Sequence, residues 1–156
     1  MSTMDPQPDP ANQGTNGPGP NPLRTPDGLT VIGIGASAGA LAPLRTFFAA
    51  LPPNTGMTFV VIVHLSPEHE SMLPELLRDY TSMPVTQVLA RTAMEPNHVY
   101  VIPPAKRLVV TAGHLDLEAL DQPPGRRLQI DTFFRTLAEQ HGDGAAIILS
   151  GTGSDG

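Results

Sequence analysis

The sequence predicts an α/β fold, a three-layer doubly wound arrangement with helices on both faces of a mainly parallel sheet. Apolar runs at 29–34, 57–65 and 145–150 are continuous rather than alternating, which indicates strands that are buried on both faces. A segment with helical spacing of apolar residues lies between the first two runs. A strand, a crossover helix and a second strand form the unit from which parallel sheets are built.

The first strand is predicted over 29–34, and a Gly-rich turn follows it. A helix is predicted over about 40–51, with Pro43 tolerated in its first turn because the N–H that proline lacks would be unpaired there. The segment MTFVVIVHL at 57–65 is the second strand. Together these segments make one βαβ unit.

The second half of the chain alternates between further strands and helices. A helix is predicted over about 71–80 with Pro74 near its start, and 118–127 is predicted as a polar loop. A third helix is predicted over 130–141, where Asp131 is placed to cap the first turn. The remaining predicted elements are strands at 85–89, 98–102 and 145–150, the last one buried, and a hairpin at 107–117 that turns at Ala112 and Gly113.

Two regions are predicted along the chain. Residues 1–28 contain seven prolines and almost no large apolar side chain, so they cannot bury enough surface to offset the entropy of ordering. We expect a disordered Pro/Gly-rich arm there. It lacks the basic start and the apolar stretch of a signal peptide. Residues 29–156 are predicted to form the folded domain.

Composition excludes several classes of function. The formal charge is -6 with only nine Lys and Arg, and no basic run offers the clustered cations that nucleic acid requires. The apolar run at 59–63 is far too short to span a membrane. The chain has no Cys, so disulfides and thiolate metal sites are excluded. His64 and His69 are not spaced for one helical face, and His98, His114 and His141 are expected to be surface or cap residues.

The segment VIGIGASAGA at 31–40 supports two incompatible interpretations. Gly33, Gly35 and Gly39 have a spacing that suggests a turn around a dinucleotide pyrophosphate. Such a site usually has an acidic residue near the end of the second strand, and here that strand ends in His64. The same segment contains G-x-S-x-G, which is typical of a nucleophilic serine on a sharp strand-to-helix turn.

The nucleophile interpretation brings together three residue types. Ser37 follows the first strand, His64 ends the second, and Asp155 lies beyond the last one. Residues beyond the carboxyl ends of neighbouring parallel strands converge on one crevice. A serine needs an adjacent base, and the base needs an acid that orients it. The backbone N–H groups after Ser37, beginning with Ala38, open a helix whose partial positive charge is suited to an oxyanion.

Five motifs, taken in their order along the chain, resemble those of a known family. GIGASAGA, VIVHLSPEHESMLPELL, PNHVYVIPP, IDTFFRTLAEQHG and IILSGTGSDG together resemble the catalytic domain of CheB-type protein-glutamate methylesterases, most closely the version in CheB/CheR fusion sensor proteins. The resemblance implies a Rossmann-like fold and hydrolysis of glutamyl methyl esters on chemoreceptor signalling helices, with glutamine deamidation at the same site. It puts the catalytic roles on Ser37, His64 and Asp155, and a backbone oxyanion contact at Thr152.

The resemblance carries further expectations. It implies a cytoplasmic protein without cofactor or metal, whose partners are methyl-accepting chemotaxis receptors, CheR-type methyltransferases and sensor modules. The family usually has a glycine where Ala40 stands, and many members have threonine where Ala38 stands. The family domain continues past the Gly-rich loop that ends this sequence. We therefore expect a truncated domain, weakly active or inactive, with part of its sheet uncovered.

Three hypotheses of function remain open at this point. The first is an esterase of the CheB type. The second is a signalling or docking module that keeps the fold while truncation has disabled the site. The third is a dinucleotide binder that uses the Gly-rich segment.

Overall fold

The computed structural model describes residues 28–64, 67–120, 128–141 and 144–149; of residues 38, 64 and 67–71 it describes the backbone only. The predicted arm at 1–28 lies outside the described residues except for Gly28, and so does most of the predicted loop at 118–127. The strands are β1 Val31–Ser37, β2 Thr58–His64, β3 Val85–Gln87, β4 Thr92–Ala93, β5 His98–Val101, β6 Lys106–Thr111, β7 His114–Ala119 and β8 Ala145–Leu149. The α-helices are α1 Leu41–Ala50, α2 Pro67–Arg78 and α3 Gln129–Gln140, and a short 3-10 helix spans Ala38–Ala40.

The central sheet confirms the predicted parallel α/β fold. Its strand order is β3-β5-β2-β1-β8, and every pairing within it is parallel. β1 and β2 lie at the centre, where their apolar side chains are almost fully buried, as continuous hydrophobicity predicts. We call the end of the sheet where these parallel strands finish its carboxyl end.

Helices cover both faces of the central sheet. On one face α1 packs against β2, where the Phe48 ring lies 5.9 Å from the Phe59 ring in an edge-to-face contact. On the opposite face α3 packs against β1, with Phe133 and Phe134 lying above Gly33. Phe59 is the register partner of Ile32, so it lies on the face opposite to that of Gly33. The three-layer arrangement is confirmed.

A second, antiparallel sheet has the order β4-β7-β6. The predicted hairpin forms its β6 and β7, and the turn falls at Ala112 and Gly113, with φ of 48° and 77°. Positive φ at both central residues is the pattern of a two-residue hairpin turn that matches strand twist. β4 was not predicted, because two residues are too few to show a period.

Several predicted boundaries were wrong. β1 continues to Ser37 rather than ending at Ile34. α2 begins at Pro67, because proline is favoured at the first position of a helix, and this places Pro74 in the helix interior. The N-cap of α3 is Leu128, without a side-chain capping hydrogen bond, and Asp131 lies in the first turn, where the helix dipole favours its charge.

β8 also differs from its prediction as a buried strand. Within the described part of the chain it pairs only with β1 and forms a lateral edge of the sheet. Ile148 is 47% exposed as a result. The sequence pattern predicted burial because it reports the hydrophobicity of a strand and not whether a neighbour covers it.

Candidate active site

Gly33 and Gly35 of the first motif lie inside β1, whereas Gly39 lies in the 3-10 helix that follows. A Cβ atom at Gly35 would lie 2.6 Å from Ile130 Cγ2, and one at Gly33 would lie 3.0 Å from Phe133 Cε1. A Cβ atom at Gly35 would clash and one at Gly33 would be tightly crowded, because α3 packs directly on the backbone of β1. This close packing accounts for both glycines without a phosphate ligand. The geometry does not support the dinucleotide interpretation.

Ser37 is the last residue of β1 and lies at the carboxyl end of the sheet. Its backbone is extended, with φ of -106° and ψ of -179°, and the 3-10 helix begins at the next residue. The change from strand to helix at Ser37 is the sharp turn that the G-x-S-x-G pattern predicts. The side chain is half-buried, and it makes no capping hydrogen bond to the helix that follows.

His64 is the last residue of β2, and it is the register partner of Ser37. Register partners on neighbouring parallel strands lie about 4.8 Å apart. The backbone therefore brings a serine and a histidine together at the centre of the carboxyl end.

The backbone N–H groups directly after Ser37 belong to the first turns of two helices. Ala38 opens the 3-10 helix, and α1 follows from Leu41 without interruption. The N-cap residues of both helices, Ser37 and Ala40, make no side-chain capping hydrogen bond. The first N–H groups of a helix have no partner within it, and their partial positive charge attracts an anion. The backbone at Ala38 is thus suited to an oxyanion, and its role in the site stays a prediction.

The other predicted site residues, Asp155 and Thr152, lie outside the described residues. β8 ends at Leu149. The register partner of Leu149 on β1 is Ala36, one position before Ser37. The strand that leads to the GTGSDG segment thus finishes at the carboxyl end, directly beside β1. The order of the sheet places β2, β1 and β8 side by side, as the three-residue hypothesis requires.

The start of α3 also lies at the carboxyl end, a feature that sequence reasoning missed. Ile130 contacts the position of Gly35, two residues before Ser37, so the first turn of α3 reaches the level of the site. Gln129 is 3% exposed, and its Nε2 donates a hydrogen bond to the Lys106 carbonyl at 2.7 Å. No motif in the sequence marks this contact, because it joins segments that are far apart along the chain.

A histidine with a shifted pKa lies at the opposite end of the sheet. His98 begins β5, pairs with Thr58 in register, and stacks on Tyr100 with ring centroids 4.3 Å apart. Its Nε2 lies 2.8 Å from Thr86 Oγ1. Burial lowers the pKa of His98, and the Glu95 carboxylate partly offsets that shift. His98, for which the sequence predicts a surface or cap position, is half-buried, whereas His141 is the C-cap of α3 and is buried.

Two further observations concern the residues that the structure describes. No cluster of His, Asp or Glu among them has the arrangement of a metal site. None of the described helices is long and apolar enough to cross a membrane.

The fold and the site together define a class of protein. It is a parallel α/β domain with a serine at a strand-to-helix turn and a histidine at the end of the neighbouring strand. Residues 32–156 match the profile of the CheB methylesterase family. The chain belongs to the CheB methylesterase family, whose activity is that of a carboxylic ester hydrolase.

Curated relatives agree with this assignment. The chain is 32% identical to protein-glutamate methylesterase/protein-glutamine glutaminase 2 of Cupriavidus metallidurans, over 92% of this chain and 44% of that protein. It is 30% identical to the protein-glutamate methylesterase/protein-glutamine glutaminase of Hydrogenovibrio crunogenus, over 81% of this chain and 35% of that protein. The chain thus spans less than half the length of these relatives.

One solved structure and one larger relative are also similar to this chain. The fold is similar to the crystal structure of the Thermotoga maritima CheB methylesterase catalytic domain, with a TM-score of 0.73 and 26% identity. That match covers 82% of this chain and 70% of the other. An uncharacterized 104.1 kDa protein of Rhodobacter capsulatus is 40% identical over 54% of this chain, which corresponds to 9% of that protein.

Proposed function

We propose that this domain is a protein-glutamate methylesterase in which Ser37 is the nucleophile, His64 the general base and Asp155 the acid that orients His64. The observation that carries the proposal is the register pairing of Ser37 with His64 at the ends of the two central strands. A serine hydroxyl is a weak nucleophile until an adjacent base accepts its proton. The sheet puts these residue types on adjacent backbones without the help of a flexible loop.

The proposed reaction has two stages. Ser37 Oγ attacks the carbonyl carbon of the ester while His64 accepts the hydroxyl proton, and that proton then leaves with the methoxide as methanol. Water, activated by His64, attacks the resulting acyl-enzyme, and Ser37 is regenerated as the carboxylate product departs. The negative oxygen of each tetrahedral intermediate would accept hydrogen bonds from the backbone N–H groups of Ala38 and Thr152.

The family supports the proposed substrate, which is the glutamyl γ-methyl ester of a chemoreceptor signalling helix in the cytoplasm. Relatives named as both methylesterase and glutaminase support glutamine deamidation as a second reaction of the same site. The attack is the same in both cases, and ammonia replaces methanol as the leaving group. The match to a small part of a 104.1 kDa protein supports a place beside other domains, with CheR-type methyltransferase and sensor modules as the proposed partners.

A serine-reactive phosphonate ester tests the proposal directly. Labelling of the chain by the probe requires an activated Ser37, and we expect the label to map to that residue by peptide mass analysis. The matched control is Ser82→Ala, which removes an exposed serine far from the carboxyl end. Labelling that survives Ser37→Ala would contradict the assignment. A folded chain that is not labelled at all would favour the alternative of a docking module without activity.

A further inference from the structure

Side chains of α3 bind the backbone along one edge of the antiparallel sheet. Within the described ranges β6 pairs only with β7, so its other edge meets no strand. Positions 129, 136 and 140 share one face of α3, because a helix has 3.6 residues per turn. Gln129 Nε2 donates to the Lys106 carbonyl at 2.7 Å, Thr136 Oγ1 accepts from the Val110 N–H at 3.1 Å, and Gln140 Oε1 accepts from the Ala112 N–H at 3.3 Å. We call these three hydrogen bonds the α3 seam.

The two ends of the α3 seam differ in their distance from the proposed site. Gln129 precedes Ile130, which packs on the backbone of Gly35, two residues before Ser37. Gln140 is the last residue of α3 and lies about 16 Å further along the helix, at a rise of about 1.5 Å per residue. The bond of Gln129 is therefore the one bond of the α3 seam that lies at the level of the proposed nucleophile.

The amide of Gln129 is only half satisfied. The side chain is buried, and its Oε1 has no hydrogen-bond partner among the residues that the structure describes. A buried acceptor without a partner costs a free energy of the same order as a buried hydrogen bond contributes, so the two ends of the amide roughly offset each other. An apolar side chain of the same length would support folding equally well. The stability of the fold does not account for a glutamine at this position.

The bond of Gln129 holds a helix start that its N-cap side chain does not cap. Leu128, the N-cap of α3, makes no side-chain capping hydrogen bond. Helix ends fray, because their outermost backbone groups have no partner within the helix. Gln129 ties this turn to the backbone of Lys106, which is held in β6 by its pairing with β7. A turn fixed in this way keeps Ile130 against the backbone of Gly35.

We propose that Gln129 is a positioning residue of the esterase site, which fastens the first turn of α3 and thereby fixes the end of β1 that carries Ser37. The route runs through the contact of Ile130 with Gly35. This inference rests on the proposed function and adds a residue that touches neither the substrate nor the reacting atoms. A misplacement of reacting groups by about 1 Å can lower a rate about 100-fold. Loss of the Gln129 bond should therefore lower kcat and leave KM for the ester unchanged.

The test is Gln129→Met, which fills a similar volume but cannot donate a hydrogen bond to Lys106. With N-acetyl-glutamate γ-methyl ester as substrate, we expect kcat to fall about tenfold and KM to stay within about twofold. The urea midpoint should not change, because the unpaired Oε1 is lost together with the bond. Gln140→Met is the matched control, since it removes a bond of the α3 seam far from the site and should leave kcat unchanged. An unchanged kcat for Gln129→Met, or an equal fall for Gln140→Met, would overturn the proposal.

A double-mutant cycle tests whether Gln129 acts through Ile130. Ile130→Ala releases the contact with Gly35, so Gln129→Met in that background should lower kcat by less than about twofold. A further fall as large as in the unmodified background would overturn the proposed route. The pH dependence of kcat should keep its form in Gln129→Met, and a displaced profile would show that Gln129 acts on His64 instead. Gln129→Ala removes the same bond without bulk and takes the place of Gln129→Met if that variant does not fold.

Amide hydrogen exchange separates this proposal from the proposed function. If the unmodified chain does not hydrolyse the ester, the proposed activity fails, and exchange still reports whether Gln129 holds the end of β1. In Gln129→Met we expect exchange to be about threefold to tenfold faster in peptides from the first turn of α3 and in those that contain Ser37. Gln140→Met should leave exchange in both peptides unchanged. Equal exchange at these peptides in the two variants would overturn the proposal.

Discussion

Ser37 and His64 occupy one register position, as the last residues of two neighbouring central strands. Their spacing is fixed by backbone hydrogen bonds on both sides of each strand, because β1 lies between β2 and β8 and β2 lies between β1 and β5. The proposed nucleophile and base therefore depend on the sheet itself. The predictions below test this dependence and its energetic basis.

Ser37→Ala is expected to lower ester turnover by roughly four to six orders of magnitude, since the members of a catalytic triad act as a unit. The measurement is methanol release from a glutamyl methyl ester, with circular dichroism to show that the variant folds. Thr46→Ala, on the exposed face of α1, is the matched control, because it also removes a hydroxyl but leaves the carboxyl end unchanged. Turnover that is equal in Ser37→Ala and the unmodified chain would remove Ser37 from the mechanism.

Gly35→Ala is expected to destabilise the fold by about 1–3 kcal/mol, because the added methyl group would lie 2.6 Å from Ile130 Cγ2. The displaced strand end would also reduce activity, since Ser37 is two residues away. Urea unfolding measures the first effect. In a double-mutant cycle with Ile130→Ala, the two changes should be strongly non-additive because the new methyl group enters the space that the isoleucine leaves. Additive effects would show that the close contact is absent.

Stability is expected to fall as pH decreases through about 6.5, the ordinary value for imidazole. Burial lowers the pKa of His98, which means that the folded state favours its neutral form. Below the pKa of the unfolded chain, the unfolded state binds the proton more readily and gains population. Thermal unfolding between pH 5 and 8 measures the trend. His98→Gln should flatten the curve, while His114→Gln, which changes a half-exposed histidine at the hairpin turn, should leave the trend in place.

Tyr100→Phe is expected to destabilise the fold by about 1–3 kcal/mol through the loss of a buried hydroxyl. That hydroxyl accepts a hydrogen bond from the Glu95 N–H and donates one to the Ala93 carbonyl, both at 3.1 Å. The substitution leaves both backbone groups without this partner. Tyr80→Phe, which changes a half-buried ring packed against Arg45, is the control and should cost less. Equal unfolding midpoints for the two variants would contradict this account.

Within the described residues one edge of β8 is unpaired, and this edge predicts self-association of the chain. An unpaired strand with apolar residues is a template for pairing with another copy. Ile148→Lys places a charge on this strand and should shift a size-exclusion profile towards monomer, with little change in unfolding temperature. A monomeric unmodified chain would contradict this expectation.

The central sheet could be predicted from sequence because its signal is local. Continuous apolar runs identified β1, β2 and β8, and helical periodicity identified α1 and α3. Their order in the sheet agrees with the crossover rule for parallel strands. The convergence of Ser37 with His64 was predicted from their places at the carboxyl ends of neighbouring parallel strands. Predictions for Asp155 and Thr152 rest on the family resemblance and remain predictions.

Other features escaped prediction because they depend on contacts between distant segments. Gly33 and Gly35 matched a phosphate-binding spacing, but only the position of Phe133 and Ile130 shows that they make room for α3. The His98 ring is partly covered by stacking on the Tyr100 ring. No pattern in the sequence around His98 reveals this contact. The exposure of Leu89 and Leu128 is likewise invisible to periodicity, since an apolar residue at a strand or helix end fits a buried pattern equally well.

The packing of α3 on bare backbone also constrains how this family can diverge. A Cβ atom at position 35 would lie 2.6 Å from Ile130 Cγ2, so a side chain there fits without strain only together with a smaller residue at 130 or a displaced α3. Homologues with alanine at position 35 should therefore carry a smaller residue at 130 or a displaced helix. Such paired changes would record an ancestral shift of α3, whose first turn reaches the level of Ser37. The composition of β1 and the shape of the site should then evolve together.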